Sequence, residues 1–168
     1  ILFKGLATAL VTPLKDDKLD LKALSRIIDM EIEAGVEALV IGGTTGEAST
    51  LSEKERRTLY EAAREMTEHK CTLILGTGSN DTKRAIEYTR LAEKIGADGA
   101  LVVTPYYNKG TAEGVTRHYK LIASAADIPI LLYNVPQRTG VNLSIEAIEE
   151  LSEGEGIVGI KEASDSTD

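Results

Sequence analysis

Four stretches of the 168-residue sequence place reactive or polar groups directly after short apolar runs. Lys161 follows residues 157–160 (Ile-Val-Gly-Ile). A lysine at the end of a buried strand is partly stripped of water, which favours its neutral form. A neutral amine adds to a carbonyl to form an imine. The same position also suits a lysine that reaches into solvent or pairs with Glu162. After residues 38–41 comes Gly42-Gly43-Thr44-Thr45-Gly46-Glu47. Its backbone N–H groups and two hydroxyls suit an anion such as a carboxylate, and its glycines equally suit a bare tight turn. Thr104-Pro105-Tyr106-Tyr107-Asn108 follows residues 100–103, where Tyr106 and Tyr107 read as rim, core or interface aromatics. Tyr133-Asn134-Val135-Pro136 closes the run 130–132 and leads into Gln137-Arg138-Thr139-Gly140. The Tyr133 hydroxyl would act as acid, base or hydrogen-bond cap. Arg138 would clamp a carboxylate in bidentate fashion or stand on the surface.

These groups need a scaffold that brings strand ends together. Six apolar, β-branched runs (5–11, 38–41, 72–75, 100–103, 130–132 and 157–160) alternate with charged stretches. Most runs are apolar throughout, as strands covered on both faces are in a parallel sheet. The intervening segments 21–34, 52–67, 82–95, 113–126 and 144–151 carry helical spacing. Ser52 and Glu55 fit a capping box, Ser144 an N-cap, and Gly35 and Gly96 the left-handed residue after a helix. The repeat is about 30 residues, one βα unit. An echo between residues 34–38 and 95–99 supports it, each leading from helix into strand. With no linker or charge block, residues 1–168 read as one α/β domain. It is either an open doubly wound sheet or a (β/α)8 barrel that stops after its sixth strand. Both architectures bind ligands at the carboxyl ends of their strands.

Composition narrows the function classes. The net charge of −8 and pI near 4.9 argue against binding nucleic acid or an anionic membrane through bulk electrostatics. No apolar run approaches a membrane span, and residues 1–6 have no signal-peptide core, so the reading places the chain in the cytoplasm. A single cysteine, Cys71, fits a reducing compartment and reads as a small buried hydrophobe. Residues 154–159 match G-x-G-x-x-G but enter a strand instead of leaving one, which is the wrong context for a dinucleotide. His69 and His118 lack ligand spacing, so no metal site is expected.

Taken together, the four strand-end motifs resemble the dihydrodipicolinate synthase/N-acetylneuraminate lyase family. The residues that carry the resemblance are Gly43-Thr44-Thr45-Gly46-Glu47, Thr104-Pro105-Tyr106-Tyr107-Asn108, Tyr133-Asn134-Val135-Pro136 and Gly159-Ile160-Lys161-Glu162. Order and spacing match along essentially the whole chain, and residues 133–140 are most similar to the synthase branch. The resemblance implies a (β/α)8 TIM barrel, here about its first six βα units, with the C-terminal part of the family's chain absent. It implies a homotetramer arranged as a dimer of dimers. It also implies a synthase of lysine and diaminopimelate biosynthesis that condenses pyruvate with aspartate semialdehyde. In that scheme Lys161 forms the imine with pyruvate, so no further cofactor is expected. Thr44, Thr45 and Gly43 receive the pyruvate carboxylate, Arg138 receives that of aspartate semialdehyde, and Tyr133, Thr44 and Tyr107 relay protons. Tyr107 would be lent by a neighbouring subunit. The alternatives are a sugar-acid or N-acetylneuraminate lyase of the same family, or a catalytically inactive homologue acting as a binding module.

The sequence departs from the family where many members bind inhibitory lysine, near Tyr106 and Asn80. Arg84, Glu53 and Arg56 stand where the inhibited bacterial forms usually carry a glutamate and histidines. The expectation is weak or absent lysine feedback.

Overall fold

The structure, a computed structural model, describes residues 1–165. Six strands form one parallel sheet: β1 (Ala7–Ala9), β4 (Ala38–Ile41), β5 (Thr72–Gly76), β6 (Gly99–Val103), β7 (Ile130–Asn134) and β8 (Ile157–Glu162). Each pairs in parallel with the next in that order. A sheet whose spatial order follows chain order, with helices between successive strands, is the sequential winding of a (β/α)8 barrel. A doubly wound sheet would reverse its order partway. The fold is therefore a partial TIM barrel of six strands, with β1 and β8 at its two edges.

The connecting helices are α1 (Leu21–Glu33), α2 (Glu53–Thr67), α3 (Thr82–Ile95), α4 (Ala112–Ala123), α5 (Pro136–Thr139) and α6 (Ile145–Ser152). Their starts follow from side-chain caps. Asp20, Asp81, Thr111 and Ser144 each accept from a backbone N–H of the first turn. Ser52 and Glu55 form the expected capping box. Gly96 closes α3 in the left-handed region, and Gly35 follows α1 at φ +81°.

Alternation along the strands divides the core in two. Leu39, Ile41, Leu73, Leu75, Val102, Ile130 and Leu132 pack outward against the helices. Ala38, Val40, Ile74, Leu101 and Tyr133 pack inward with Val135. Both faces are covered, so β4 is buried at all four positions, which explains why the strands read as continuous apolar runs.

Three features differ from expectation. A hairpin, β2 (Leu14–Lys15) with β3 (Lys18–Leu19), precedes α1. Its turn residues Asp16 and Asp17 both have positive φ (51° and 57°), the conformation a two-residue hairpin requires. The β7 and β8 strands run farther than their apolar cores, so Tyr133, Asn134, Lys161 and Glu162 lie within strands rather than after them. Helix α4 ends at Ala123, three residues short of position 126.

Candidate active site

A cleft of about 210 Å³ opens at the carboxyl ends of the strands. Gly43, Thr44, Tyr106, Tyr133 and Arg138 all contribute to its wall. Residues up to 95 positions apart in sequence meet there because a sequential barrel turns every strand end to the same rim. Thr45, Tyr107 and Lys161 are not on the wall; Lys161 joins it through Tyr133.

Lys161 faces the barrel interior. It is the direct register partner of Tyr133 across the β7–β8 ladder, and its Nζ lies 4.4 Å from the centroid of the Tyr133 ring. Burial lowers the Lys161 pKa, and the Arg138 guanidinium lowers it further. The desolvation is partial. Val158 is 52% exposed, and Lys161 itself is exposed. The neighbouring cation thus adds to the effect of burial. Lys161 does not pair with Glu162, which hydrogen-bonds elsewhere.

Glu162 and Asn134 occupy the outer face at the same level of the ladder. Asn134 is almost fully buried. Its Nδ2 donates to both carboxylate oxygens of Glu162 at 3.0 Å and to Asn142 Oδ1 at 2.8 Å, while its Oδ1 accepts from the Leu143 N–H. The Ser164 N–H also donates to Glu162. Burial opposes ionisation of Glu162, but these hydrogen bonds prevail and hold its pKa below the usual carboxylate range.

The glycine-rich loop forms differently from an open anion cradle. The N–H groups of Gly46 and Ala48 donate to Gly43 O, and that of Glu47 to Thr44 O, so two of the loop's candidate donors serve the turn itself. Among the described residues the amides of Thr44 and Thr45 make no such bond, and both side chains are exposed. Gly42 adopts φ +68°, and a Cβ there would come within 2.8 Å of Tyr60 Cε1. Glycine is required at that corner by conformation and by close approach.

The three tyrosines do not gather at one rim. Tyr133 is buried and Tyr106 lines the cleft, whereas Tyr107 is 88% exposed and turns away. Its φ is +74°, and the Asn108 N–H donates to Tyr106 O, closing a tight turn centred on Tyr107. Thr104 donates to Tyr133 O and pairs with the Tyr119 hydroxyl, tying the end of β6 to β7.

Arg56 and Tyr88 also line the cleft, Arg56 legible beforehand only through the family resemblance and Tyr88 only as a helix residue. Arg56 is buried, with its guanidinium 4.2 Å over the Tyr88 ring. It donates to the Tyr60 hydroxyl, Gly76 O and Ala48 O. Nearby, Arg84 pairs with Glu53 at 3.2 Å. Cys71, read from sequence as buried, is half-buried against the outer core, and this burial pushes its thiol pKa up. Among the described residues no three His, Cys, Asp or Glu side chains cluster as metal ligands would, and no helix is long and apolar enough to cross a membrane.

The chain is similar to known proteins along nearly its whole length. It is 49% identical over 166 residues to the 4-hydroxy-tetrahydrodipicolinate synthase of Alkaliphilus oremlandii, covering 99% of this chain and 57% of that protein. It superposes on the crystal structure of a dihydrodipicolinate synthase from Thermotoga maritima with a TM-score of 0.96 at 44% identity, covering 99% of this chain and 57% of that one. A structure described as the first monomeric dihydrodipicolinate synthase variant matches with a TM-score of 0.94 at 45% identity, over 96% of this chain and 54% of that one. The chain thus spans just over half the length of the curated relatives it matches. The model of the dihydrodipicolinate synthetase family matches residues 2–168, and the chain belongs to that family.

Proposed function

We propose that this chain carries the imine-forming part of a 4-hydroxy-tetrahydrodipicolinate synthase, which condenses pyruvate with aspartate 4-semialdehyde in lysine and diaminopimelate biosynthesis. The observation that carries the reading is the seat of Lys161. Its amine rests on Tyr133, beside a cation that disfavours the ammonium form.

In this reading the neutral Lys161 amine attacks the pyruvate carbonyl carbon and water leaves, giving a protonated imine. The imine draws electrons from the methyl carbon, which sheds a proton to give an enamine. The enamine carbon attacks the aldehyde of aspartate semialdehyde, forming the new C–C bond while the aldehyde oxygen takes up a proton. The substrate's own amine then adds to the imine carbon and expels Lys161, closing the ring. No group beyond the imine is needed to accept the electron pair.

Each residue has a task in this scheme. Thr44, Thr45 and Gly43 receive the pyruvate carboxylate, with the two unused amides as donors. Arg138 holds the carboxylate of aspartate semialdehyde. Tyr133 and Thr44 pass protons at the cleft, completed by Tyr107 of a neighbouring subunit. An exposed tyrosine held out on a positive-φ turn supports that last role. We place the assembly as a homotetramer in the cytoplasm, each chain contributing one barrel domain.

Incubation with pyruvate followed by borohydride reduction and peptide mass spectrometry tests the reading. The expected adduct sits on Lys161; a folded sample without it refutes the proposal. Aspartate semialdehyde is then expected to turn over in preference to sugar-acid aldehydes.

A further inference from the structure

The outer face of the β7–β8 ladder bears on the chemistry of the inner face. Strand alternation puts Tyr133 and Lys161 inward and Asn134 and Glu162 outward at adjacent rungs. The ladder contains an irregularity. Ile130 pairs with Ile157 but Leu131 pairs with Gly159, leaving Val158 as an extra residue. This lets Ile157 and Ile160 both pack outward at a spacing of three. Two contacts join the strands above the bulge. The contacts available are the pairing of Lys161 with Tyr133 and the buried Asn134 amide, whose donors converge on both Glu162 oxygens.

A carboxylate one residue from an amine is a hazard to that amine. Freed, Glu162 can turn toward Lys161 and pair with it, and such a partner stabilises the ammonium. Among the described residues, the groups facing Lys161 are the Tyr133 ring from β7 and the Arg138 guanidinium from α5. Farther along, the Asp165 carboxylate is engaged by Gln137 Nε2 at 2.7 Å.

We propose that Asn134 is a positioning residue for Lys161: it clamps the Glu162 carboxylate to the outer face of the sheet and keeps the adjacent negative charge away from the amine seated on Tyr133. This deepens the proposed function and rests on it for its catalytic meaning. The geometry and its test concern the amine alone.

The test is the titration of Lys161 in the full chain, read by competitive acetylation across pH with the Lys161 peptide quantified by mass spectrometry. In Asn134→Leu the midpoint rises by about one pH unit, about tenfold less free amine at neutral pH. In Glu162→Gln, which keeps an acceptor for Asn134 without the charge, the midpoint stays within about 0.3 unit of the starting chain. The double variant returns to that value. An unchanged midpoint in Asn134→Leu overturns the proposal, as does a double variant that stays raised. If circular dichroism shows Asn134→Leu unfolded, Glu162→Gln decides alone. A fall of about half a unit or more would mean the carboxylate already acts on the amine in the native chain, which overturns the clamp. Pyruvate trapping is run separately: its failure with a normal Lys161 titration refutes the synthase reading and leaves the clamp standing.

Discussion

Acid should loosen this fold through one buried histidine. His118, on the inner side of α4, is 4% exposed. Its Nδ1 lies 2.9 Å from Thr82 Oγ1 at the first turn of α3, and its Nε2 is buried without a partner. A proton on Nε2 would be a buried donor with nothing to accept it. Burial accordingly drives the His118 pKa from 6.5 down to about 4, against a small opposing pull from Asp81. Between those two values the unfolded chain binds a proton that the folded chain refuses. The stability conferred by neutral His118 is therefore complete above pH 6.5 and lost as the pH falls toward 4. At pH 5 the loss is about 2 kcal/mol, and it approaches about 3 kcal/mol at the lower limit.

The assay is urea denaturation of the native chain and of His118→Leu at pH 7 and pH 5. Carboxylates elsewhere titrate in both proteins and cancel in the comparison. The native chain should lose about 2 kcal/mol more than the variant between the two conditions. Equal losses would show that His118 takes up its proton in the folded state and refute the argument. Because α3 begins just after Ser79 on the cleft wall, the α3–α4 seam that loosens lies behind the proposed site.

Three further outcomes follow from the site. Replacing Arg138 with Met removes the cation that disfavours the Lys161 ammonium, so the acetylation midpoint of Lys161 should move to higher pH; a midpoint that stays or falls contradicts the assignment. Gly42→Ala forces a side chain into a left-handed corner 2.8 Å from Tyr60 and should cost about 1–3 kcal/mol by thermal or urea unfolding; a neutral result would show that Tyr60 yields freely. Calorimetric titration with lysine should give weak binding or none, because the buried Arg56 cation meets an incoming ammonium beside Tyr106 and no carboxylate is paired with it among the described residues; tight, inhibitory binding would refute this.

What the sequence revealed and what it hid have a common cause. Strand and helix positions were legible because central strands such as β4 are covered on both faces, and because Ser52 and Ser144 carry the chemistry of a helix start in their own side chains. The site was legible as a set of strand ends, since a sequential barrel makes them neighbours whatever their separation. Its internal geometry was not. The Asp16-Asp17 hairpin uses an unusual pair for a turn that favours Asn-Gly. Arg56 stands out in the sequence only through the family resemblance, and the position of Tyr88 on the neighbouring helix reveals the stacked, buried cation. Tyr106 and Tyr107 are adjacent and chemically identical, and the positive φ that sends one into the cleft and the other outward leaves no mark on residue type. The same limit applies to Lys161. An apolar run before a lysine indicates a depressed pKa, but it attributes the depression to burial alone. In the folded chain burial remains the larger cause, and neighbours drawn from β7 and α5 add to it. Arg138 acts on the amine by charge, Tyr133 by contact, and Asn134, on the opposite face, by restraining the carboxylate that would otherwise undo both.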